Sequence, residues 1–331
     1  DFKYRFSKRV IGFLVTILAA WMLKSYWALV IGTLVTSGVG AILSYVMHPM
    51  RPRFATRKIK EIFSVSQWLL IDSVGNFLNH RMHHACVGRV GNASMMGGYE
   101  LANQIAEMPS EELLAPINRV LFPAFSSNRN NPVELKKLFL MAQGAQSMVA
   151  IPASIGLFFV APELVSVLLG DKWIFIVPIL QMLILANLCI AIVTSGVHIM
   201  LATDKVRALS VITWVRVVIF LILFVLLSPT TAYEVAQLYL VTMLAGFSLV
   251  IWQTKKSLPN VTYFEMFGVV NRPVIAATLM FYLGDYLVSF LSAGAWLILG
   301  VKIFTGVAIY SFAIVVLWTS SGMPSGAESF V

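Results

Sequence analysis

The chain has 331 residues, of which 59% are hydrophobic and 12% are charged, about half the charged fraction of a soluble domain. This composition excludes an ordinary soluble domain and predicts a membrane protein. The formal net charge of +9 would suit an anionic membrane surface or nucleic acid. The charges fall between apolar segments, however, which favours the membrane. The two cysteines, Cys86 and Cys189, lie within apolar segments and lack the spacing of a disulfide framework or a metal site.

The apolar segments are long enough to cross a membrane as helices. A transmembrane helix needs about 20 apolar residues, and the edges of an open sheet cannot be satisfied in lipid. We therefore predict an all-α, polytopic membrane protein with about ten transmembrane helices. The predicted spans, in chain order, are residues 9–23, 27–47, 63–88, 95–121, 138–160, 174–202, 208–228, 236–252, 272–291 and 295–318.

Arginine and lysine are distributed unequally between the two sets of predicted loops. Seventeen fall on one side of the membrane, and three, Lys24, Arg89 and Lys172, fall on the other. Loops rich in arginine and lysine stay in the cytoplasm. We therefore expect both termini and the basic connector at residues 51–62 to be cytoplasmic.

The third predicted span carries polar residues at steps of three and four, which places them on one face of a helix. A charged residue at the centre of a membrane costs about 2.5–3.5 kcal/mol on insertion scales, so such residues face a cavity or a partner rather than lipid. The residues of this stripe are Asp72, Asn76, Asn79 or His80, and His83, with Arg81 and His84 beside it.

The fourth predicted span repeats the pattern with the opposite charge. Its stripe consists of Glu100, Asn103 or Gln104, Glu107, Glu111 and Asn118. Pro109 and Pro116 interrupt the hydrogen-bond ladder of this span, because proline lacks a backbone N–H and clashes with the preceding turn. We expect a bend there.

The two polar spans form a hairpin around Asn92. Counting outward from it predicts that His84 meets Glu100 and that Arg81 meets Asn103, close to Glu107. Two interpretations remain open: the stripes line a cavity, or they bind each other and only fix the hairpin. The polar groups outnumber those that one pairing needs, which favours the cavity.

The remaining titratable residues give weaker signals. His80 and His84 have the i, i+4 spacing of a two-histidine metal site, but no HExxH pattern or third ligand accompanies them. We therefore predict no metal and no cofactor. Within other spans, Arg216 is expected to line the cavity, and Asp285 and Lys302 are expected to pair with each other.

Five blocks of the sequence resemble those of a known protein family. They are SYWALV at 25–30, HPMRPRF at 48–54, VGRVGNASMMGGYELA at 87–102, APINRVLFPAFS at 115–126 and LLGDKW at 168–173. On these blocks the chain resembles the flippases that move lipid-linked oligosaccharides, in the multidrug/oligosaccharidyl-lipid/polysaccharide exporter superfamily. At a position six residues before the arginine of the "GR" pair, where relatives often have an acid, this chain has His83. If that acid takes part in ion coupling in the relatives, Asp72 and Glu107 are the nearest carboxylates in this chain that could take over the role.

The resemblance implies an exporter fold in which two bundles of six helices face each other across a central cavity. Residues 1–50 would form the last two helices of the N-terminal bundle, and residues 51–62 the basic connector. Residues 63–260 would form the C-terminal six-helix bundle, and residues 261–331 two extra helices and a tail. About four helices would then precede residue 1.

The resemblance also implies a function: translocation of a polyprenyl-diphosphate-linked oligosaccharide across the bacterial inner membrane. The mechanism would be alternating access, and the cargo would serve the synthesis of O-antigen, capsule or exopolysaccharide. Its expected partners are membrane lipid, a polysaccharide polymerase and a chain-length regulator. Basic side chains would bind the diphosphate, and amide side chains would bind the sugars. Carboxylates would bind the coupling ion. The corresponding candidates are Arg81, His80, His84 and Arg216 for the diphosphate; Asn76, Asn79, Asn103 and Gln104 for the sugars; and Asp72, Glu100 and Glu107 for coupling.

Three alternatives to this function remain. A drug or cation exporter of the same superfamily would need no diphosphate site. A polymerase or ligase would need a large outer loop for its chemistry, and no predicted outer loop is long enough, so we expect no enzyme. The chain could also be a fragment that does not function alone.

Overall fold

The computed structural model describes residues 2–25, 27–47, 59–290 and 294–320, and every element in these ranges is helical. This confirms the predicted all-α class. The block at 48–54, most of the connector at 51–62 and the tail at 321–331 lie outside the described residues. The helices are α1 (Phe2–Leu23), α2 (Trp27–Met47), α3 (Ile59–Val90), α4 (Ala93–Met108), α5 (Ala115–Ser127), α6 (Pro132–Leu169), α7 (Val177–Ala202), α8 (Val206–Leu227), α9 (Ala232–Ser257), α10 (Tyr263–Val288) and α11 (Ala295–Ser320).

The chain divides into two compact units, Asp1–Ile62 and Phe63–Val331. In the first unit, α1 and α2 pack as a hairpin. Gly12 of α1 faces Thr36 of α2, and Gly32 of α2 faces Thr16 of α1. A Cβ atom on either glycine would overlap the facing threonine. Small residues at such positions let the backbones of membrane helices approach closely.

Helix α7 lies at the centre of the second unit, where it packs against α4, α5, α6, α8 and α9. Its sequence is apolar around most of its circumference, which is the pattern of a buried helix. Leu180, Leu183 and Ile184 accordingly have no exposed surface. Helices α10 and α11 pack against each other, and both pack against α6.

Among the described residues, seven helices have the length and hydropathy to cross a membrane: α1, α6, α7 with the 3₁₀ turn that precedes it, α8, α9, α10 and α11. The polar helices α3 and α4 are not among them. The span count of ten therefore stays a prediction. Helix α3 has 32 residues, which is about 48 Å at 1.5 Å per residue, so it is long enough to cross a membrane.

The fourth predicted span is broken in the middle. Helix α4 ends at Met108, a π-helical turn occupies Pro109–Leu113, and α5 begins at Ala115. The interruption expected at Pro109 is confirmed, and Pro116 occupies the first turn of α5, where its missing N–H costs nothing. The Ser110 hydroxyl donates to the Glu107 carbonyl at 3.0 Å. π-Helical turns occur frequently at functional sites.

The expected pairing of Asp285 with Lys302 is wrong. Lys302 is buried, and its Nζ donates to Glu163 Oε1 at 2.9 Å and to the Phe159 carbonyl at 3.2 Å on α6. Gly284 of α10 also packs against the Phe159 ring, whereas the adjacent Asp285 is exposed. Lys302 and Asp285 therefore lie on different faces of the α10–α11 pair, and the lysine attaches this pair to α6.

Candidate functional site

The first half of the polar stripe on α3 forms a hydrogen-bonded network with α8. Asp72 Oδ1 accepts a hydrogen bond from the Thr213 hydroxyl at 2.8 Å, and Asp72 Oδ2 accepts one from Asn76 Nδ2 at 2.8 Å. Asn76 Oδ1 lies 3.4 Å from Arg216 Nη2, which donates to it. We call Asp72, Asn76, Thr213 and Arg216 the α3–α8 network.

Close backbone approach makes this network possible. Asn79 Nδ2 donates to the Gly75 carbonyl at 2.9 Å and to the Thr213 carbonyl at 3.0 Å. A Cβ at Gly75 would lie 2.8 Å from Thr213 Cγ2. On the other side of Arg216, a Cβ at Gly246 of α9 would overlap the arginine Cδ. Arg216, on α8, is therefore held against α3 and α9 by packing as well as by its hydrogen bond to Asn76.

The second half of the stripe faces α4. His84 Nδ1 lies 2.9 Å from Glu100 Oε2, within ion-pair distance, although the two atoms are not aligned as a hydrogen bond. The pairing of His84 with Glu100 is thus confirmed. The expected contact of Arg81 with Asn103 is wrong: Asn103 Nδ2 donates to Glu107 Oε1 at 2.8 Å, and its buried Oδ1 has no partner among the described residues.

Basic and amide side chains are exposed around this pair, and Glu107 beside it is half-buried. His80 and Arg81 on α3 and Gln104 on α4 are exposed. Arg81, His80 and Glu107 all lie within electrostatic range of the His84 ring. Gln104 Nε2 donates to Glu100 Oε1 at 3.2 Å. We call His80, Arg81, His84, Glu100, Gln104 and Glu107 the hairpin cluster.

His83 lies behind the hairpin cluster rather than on its surface. It is only 1% exposed, its Nδ1 is 2.7 Å from the Tyr99 hydroxyl, and its ring stacks on Tyr239 of α9 with 4.1 Å between centroids. The polar residues of α3 were expected to share one face. They instead contact three helices, α4, α8 and α9, which approach α3 from different directions.

The broken helix borders a cavity of about 850 Å³ beside the hairpin cluster, closed on one side by Ala153 and Leu157 of α6. This volume lies within the usual range for small-molecule sites, about 300–1,000 Å³. The polar residues of its lining are Gln104, Glu107, Glu111 and Glu112. Within the ranges that the structure describes, no three His, Cys, Asp or Glu side chains come together as a metal site.

Sequence reasoning missed Thr213, Tyr99 and Tyr239. Thr213 had a usable signal, since Ser210, Thr213 and Arg216 recur at three-residue steps in an otherwise apolar span. Tyr99 lies within a block that carries the family resemblance, but nothing around Tyr239 in the sequence distinguishes it from a core residue.

A family model described as "Polysaccharide biosynthesis protein" matches residues 1–178, more than half of the chain. The chain belongs to this polysaccharide biosynthesis protein family. The predicted family resemblance is thereby confirmed. The matched region includes α3, α4 and the π turn, and hence the whole hairpin cluster, but it ends before α8 and α9.

Individual relatives agree with the family. The chain is 31% identical over 215 residues to an "Uncharacterized membrane protein in cps region" of Klebsiella pneumoniae, covering 63% of this chain and 44% of that protein. It is 31% identical over 181 residues to the "Lipopolysaccharide biosynthesis protein WzxC" of Escherichia coli, covering 54% and 37%. It is 26% identical over 257 residues to the "Teichuronic acid biosynthesis protein TuaB" of Bacillus subtilis, covering 76% and 53%. The chain thus spans about half the length of these relatives, or less.

Among solved structures, the fold of this family member is similar to that of the "Lipid II flippase MurJ, inward closed conformation". The TM-score is 0.70 at 13% sequence identity, and the match covers 95% of this chain and 67% of that one. At this identity the likeness concerns the fold alone. It confirms the exporter fold that the sequence blocks implied.

Proposed function

We propose that this chain acts as a flippase for a polyprenyl-diphosphate-linked oligosaccharide in the bacterial inner membrane, in the synthesis of a surface polysaccharide. The observation that carries the proposal is the hairpin cluster. Arg81 and His80 are exposed there beside the His84–Glu100 pair. Gln104 and Glu107 of the same cluster line the large cavity beside it, in a flippase-like fold. Exposed cations at membrane depth are costly, and a diphosphate is a cargo that would repay that cost.

The proposed roles follow from which polar groups remain available. Arg81 would bind the diphosphate through its planar guanidinium, which binds phosphate oxygens in pairs, with His80 and His84 beside it. The exposed Gln104 would bind sugar hydroxyls. Asn103, whose buried Oδ1 has no partner among the described residues, would join it only after the site opens locally. Asp72, Asn76, Asn79 and Arg216 would reach cargo only after the bonds between α3 and α8 are broken, so we assign them a secondary part.

The same geometry suggests how the site remains stable when it is empty. Glu100 and Glu107 balance the cations of α3, because an unpaired charge at this depth is unfavourable. An arriving diphosphate would compete for His84 and Arg81 and free a carboxylate to take up a proton. Cargo binding and ion binding would then alternate as the cavity opens to either side of the membrane. A polymerase and a chain-length regulator would act on the cargo after it has crossed.

Transport by the complete protein in proteoliposomes tests the proposal. We expect a fluorescent lipid-linked oligosaccharide to cross the bilayer and Arg81→Ala to abolish the crossing, while Arg81→Lys restores part of it. Unchanged crossing with Arg81→Ala would show that the hairpin cluster only holds α3 against α4.

A second candidate function is export of an organic cation. The cavity lining favours it, since Glu107, Glu111 and Glu112 are its acidic residues. Efflux of a cationic dye from the same proteoliposomes separates the two candidates. Dye efflux that Glu107→Gln abolishes, without movement of the oligosaccharide, would support the exporter and contradict the flippase.

The orientation of the chain is also part of the proposal. With both termini in the cytoplasm, the α3–α4 connection at Asn92 lies outside and the α5–α6 connection at Asn130 lies inside. Single cysteines at these two positions, in a variant without Cys86 and Cys189, should react with a membrane-impermeant reagent from opposite sides. Reaction of both from the same side would contradict the proposed topology.

A further inference from the structure

A groove of about 410 Å³ runs along the surface of the second unit between α3 and α8. Two tryptophans dominate its lining, Trp68 of α3 and Trp214 of α8, and the rest is largely aliphatic. The groove lies apart from the acidic cavity beside the π turn, with which it shares no lining residue.

The polar atoms in the groove wall are already bonded to the protein. The Ser210 hydroxyl donates to the Trp68 carbonyl at 2.9 Å, and Trp214 Nε1 donates to the Ile71 carbonyl at 3.0 Å. The surface that remains is apolar. Such a surface offers no hydrogen bond to water. Within the hydrocarbon core, an acyl chain in the groove would be held by van der Waals packing against the groove walls, because transfer out of water contributes nothing there.

One end of the groove carries a cation. The guanidinium carbon of Arg207, in the first turn of α8, lies 5.1 Å from the centroid of the Trp68 ring. Arg207 is exposed, and no carboxylate in the described part of the chain forms an ion pair with it. The aromatic face holds the guanidinium in place and leaves its N–H groups free to bind an anion.

The length of the groove matches one leaflet of a bilayer. From Arg207 to Ile219, α8 advances 12 residues, which is about 18 Å at 1.5 Å per residue. One leaflet accounts for about half of the 30 Å hydrocarbon core, or about 15 Å. A cation in the first turn of a spanning helix lies at headgroup depth, so the apolar groove extends from there toward the bilayer centre.

We propose that this groove binds one acyl chain of an anionic phospholipid, with the lipid phosphate on Arg207. A phospholipid suits the site better than the cargo for two reasons. A polyprenyl chain is much longer than a single leaflet. The proposed diphosphate ligand Arg81 is also 13 residues beyond Trp68 on α3, which places it about 20 Å away along the helix.

Quenching of tryptophan fluorescence by brominated lipids tests this proposal. The complete protein is reconstituted in phosphatidylcholine vesicles that contain either dibrominated phosphatidylglycerol or dibrominated phosphatidylcholine. We expect about fivefold higher apparent affinity for the anionic lipid, the effect of one basic residue near an anionic headgroup. Replacing both groove tryptophans, Trp68→Phe with Trp214→Phe, should remove the selective part of the quenching. Trp296→Phe, on the exposed side of α11, is the matched control and should retain it.

Variants of Arg207 test the headgroup contact without altering the groove. Arg207→Gln should make the two brominated lipids equally effective, and Arg207→Lys should keep most of the selectivity. Because Arg207 is exposed, both variants should fold, which circular dichroism would verify.

Several results would overturn the proposal. Equal quenching of the wild type by both lipids would indicate ordinary contact with the bilayer. Selectivity that persists after both Trp68 and Trp214 are replaced would place the lipid elsewhere. Absence of any quenching that depends on Trp214 would mean that protein covers the groove. Displacement of the brominated lipid by a substoichiometric polyprenyl diphosphate would identify the cargo chain as the occupant.

Discussion

Helix α3 carries two polar segments with different surroundings. In the segment from Asp72 to Asn79, the polar side chains bond to one another, to Thr213 and to Arg216. In the segment from His80 to His84, His84 pairs with Glu100 while His80 and Arg81 remain exposed. The polar residues of α3 thus divide into those that attach helices to each other and those that remain exposed, where we propose that a cargo binds. Spacing along the sequence does not separate the two groups.

The largest effect on stability should come from the α3–α8 network. Arg216→Met keeps most of the side-chain volume but removes the charge and the donor to Asn76 Oδ1, in a network that also holds the half-buried Asp72. A buried polar group that loses its partner costs about 1–3 kcal/mol, and more when a charge is involved, so we expect a loss of about 3 kcal/mol in the free energy of unfolding. Unfolding in mixed micelles measures it. Arg81→Met is the matched control, and it should change stability by less than about 0.5 kcal/mol. Equal losses of stability in Arg216→Met and Arg81→Met would show that the two polar segments of α3 do not differ in their contribution to stability.

A substitution outside the network should sharpen the comparison. Gly246→Ala places a methyl group against the arginine stem, and overpacking of this kind costs about 1–3 kcal/mol. We expect lower stability and a loosened contact between Arg216 and Asn76. Gly268→Ala on α10, where a Cβ atom would meet nothing within 4 Å, is the control. A neutral result for Gly246→Ala would mean that Arg216 has room to move and is not held in place.

The His84–Glu100 pair in the hairpin cluster should contribute less to the free energy of unfolding than the α3–α8 network does. Glu100 is 37% exposed in its side chain, so solvent screens its attraction to His84. A double-mutant cycle with His84→Ala and Glu100→Ala should therefore give a coupling energy of about 1 kcal/mol or less. A coupling of about 3 kcal/mol would show that this pair, like the α3–α8 network, holds helices together.

The smallest effect on stability is expected for Glu107. Glu107→Gln keeps the side-chain shape and its ability to accept from Asn103, so the free energy of unfolding should change by less than about 0.5 kcal/mol. The pH dependence of transport should nevertheless weaken, because a carboxylate that takes up a proton in the cycle has been removed. Initial rates in proteoliposomes over a range of pH measure this. A pH profile identical to that of the wild type would exclude Glu107 from ion coupling.

Local rules along the chain predicted a good part of this structure. Pro109 predicted the break in the fourth span, because an interior proline removes a backbone hydrogen bond and clashes with the preceding turn. Pro152 and Pro162 lie within the continuous helix α6, so proline alone does not decide where a helix breaks. Counting outward from Asn92 predicted the contact of His84 with Glu100, because two helices joined by a short connection must run antiparallel and remain in register. These features depend on residues that are close in sequence.

The features that sequence reasoning missed depend on residues that are far apart. Thr213 and Tyr239 approach α3 from α8 and α9, and Lys302 reaches Glu163 across 139 positions. Which helices become neighbours depends on the packing of the whole bundle, and periodicity within one helix carries no information about it. The polar face of α3 could therefore be predicted, but not its division among three partner helices.

Binding of a polyprenyl diphosphate to the complete purified protein tests the central claim most directly. A hydrogen bond to a charged group contributes about 1.5–3 kcal/mol, so loss of even one guanidinium contact in Arg81→Ala should weaken affinity at least about tenfold. Arg81→Lys should lie between this variant and the wild type, because lysine keeps the charge but not the planar fork. Wild-type affinity in a folded Arg81→Ala protein would contradict the claim that the exposed part of α3 binds the cargo.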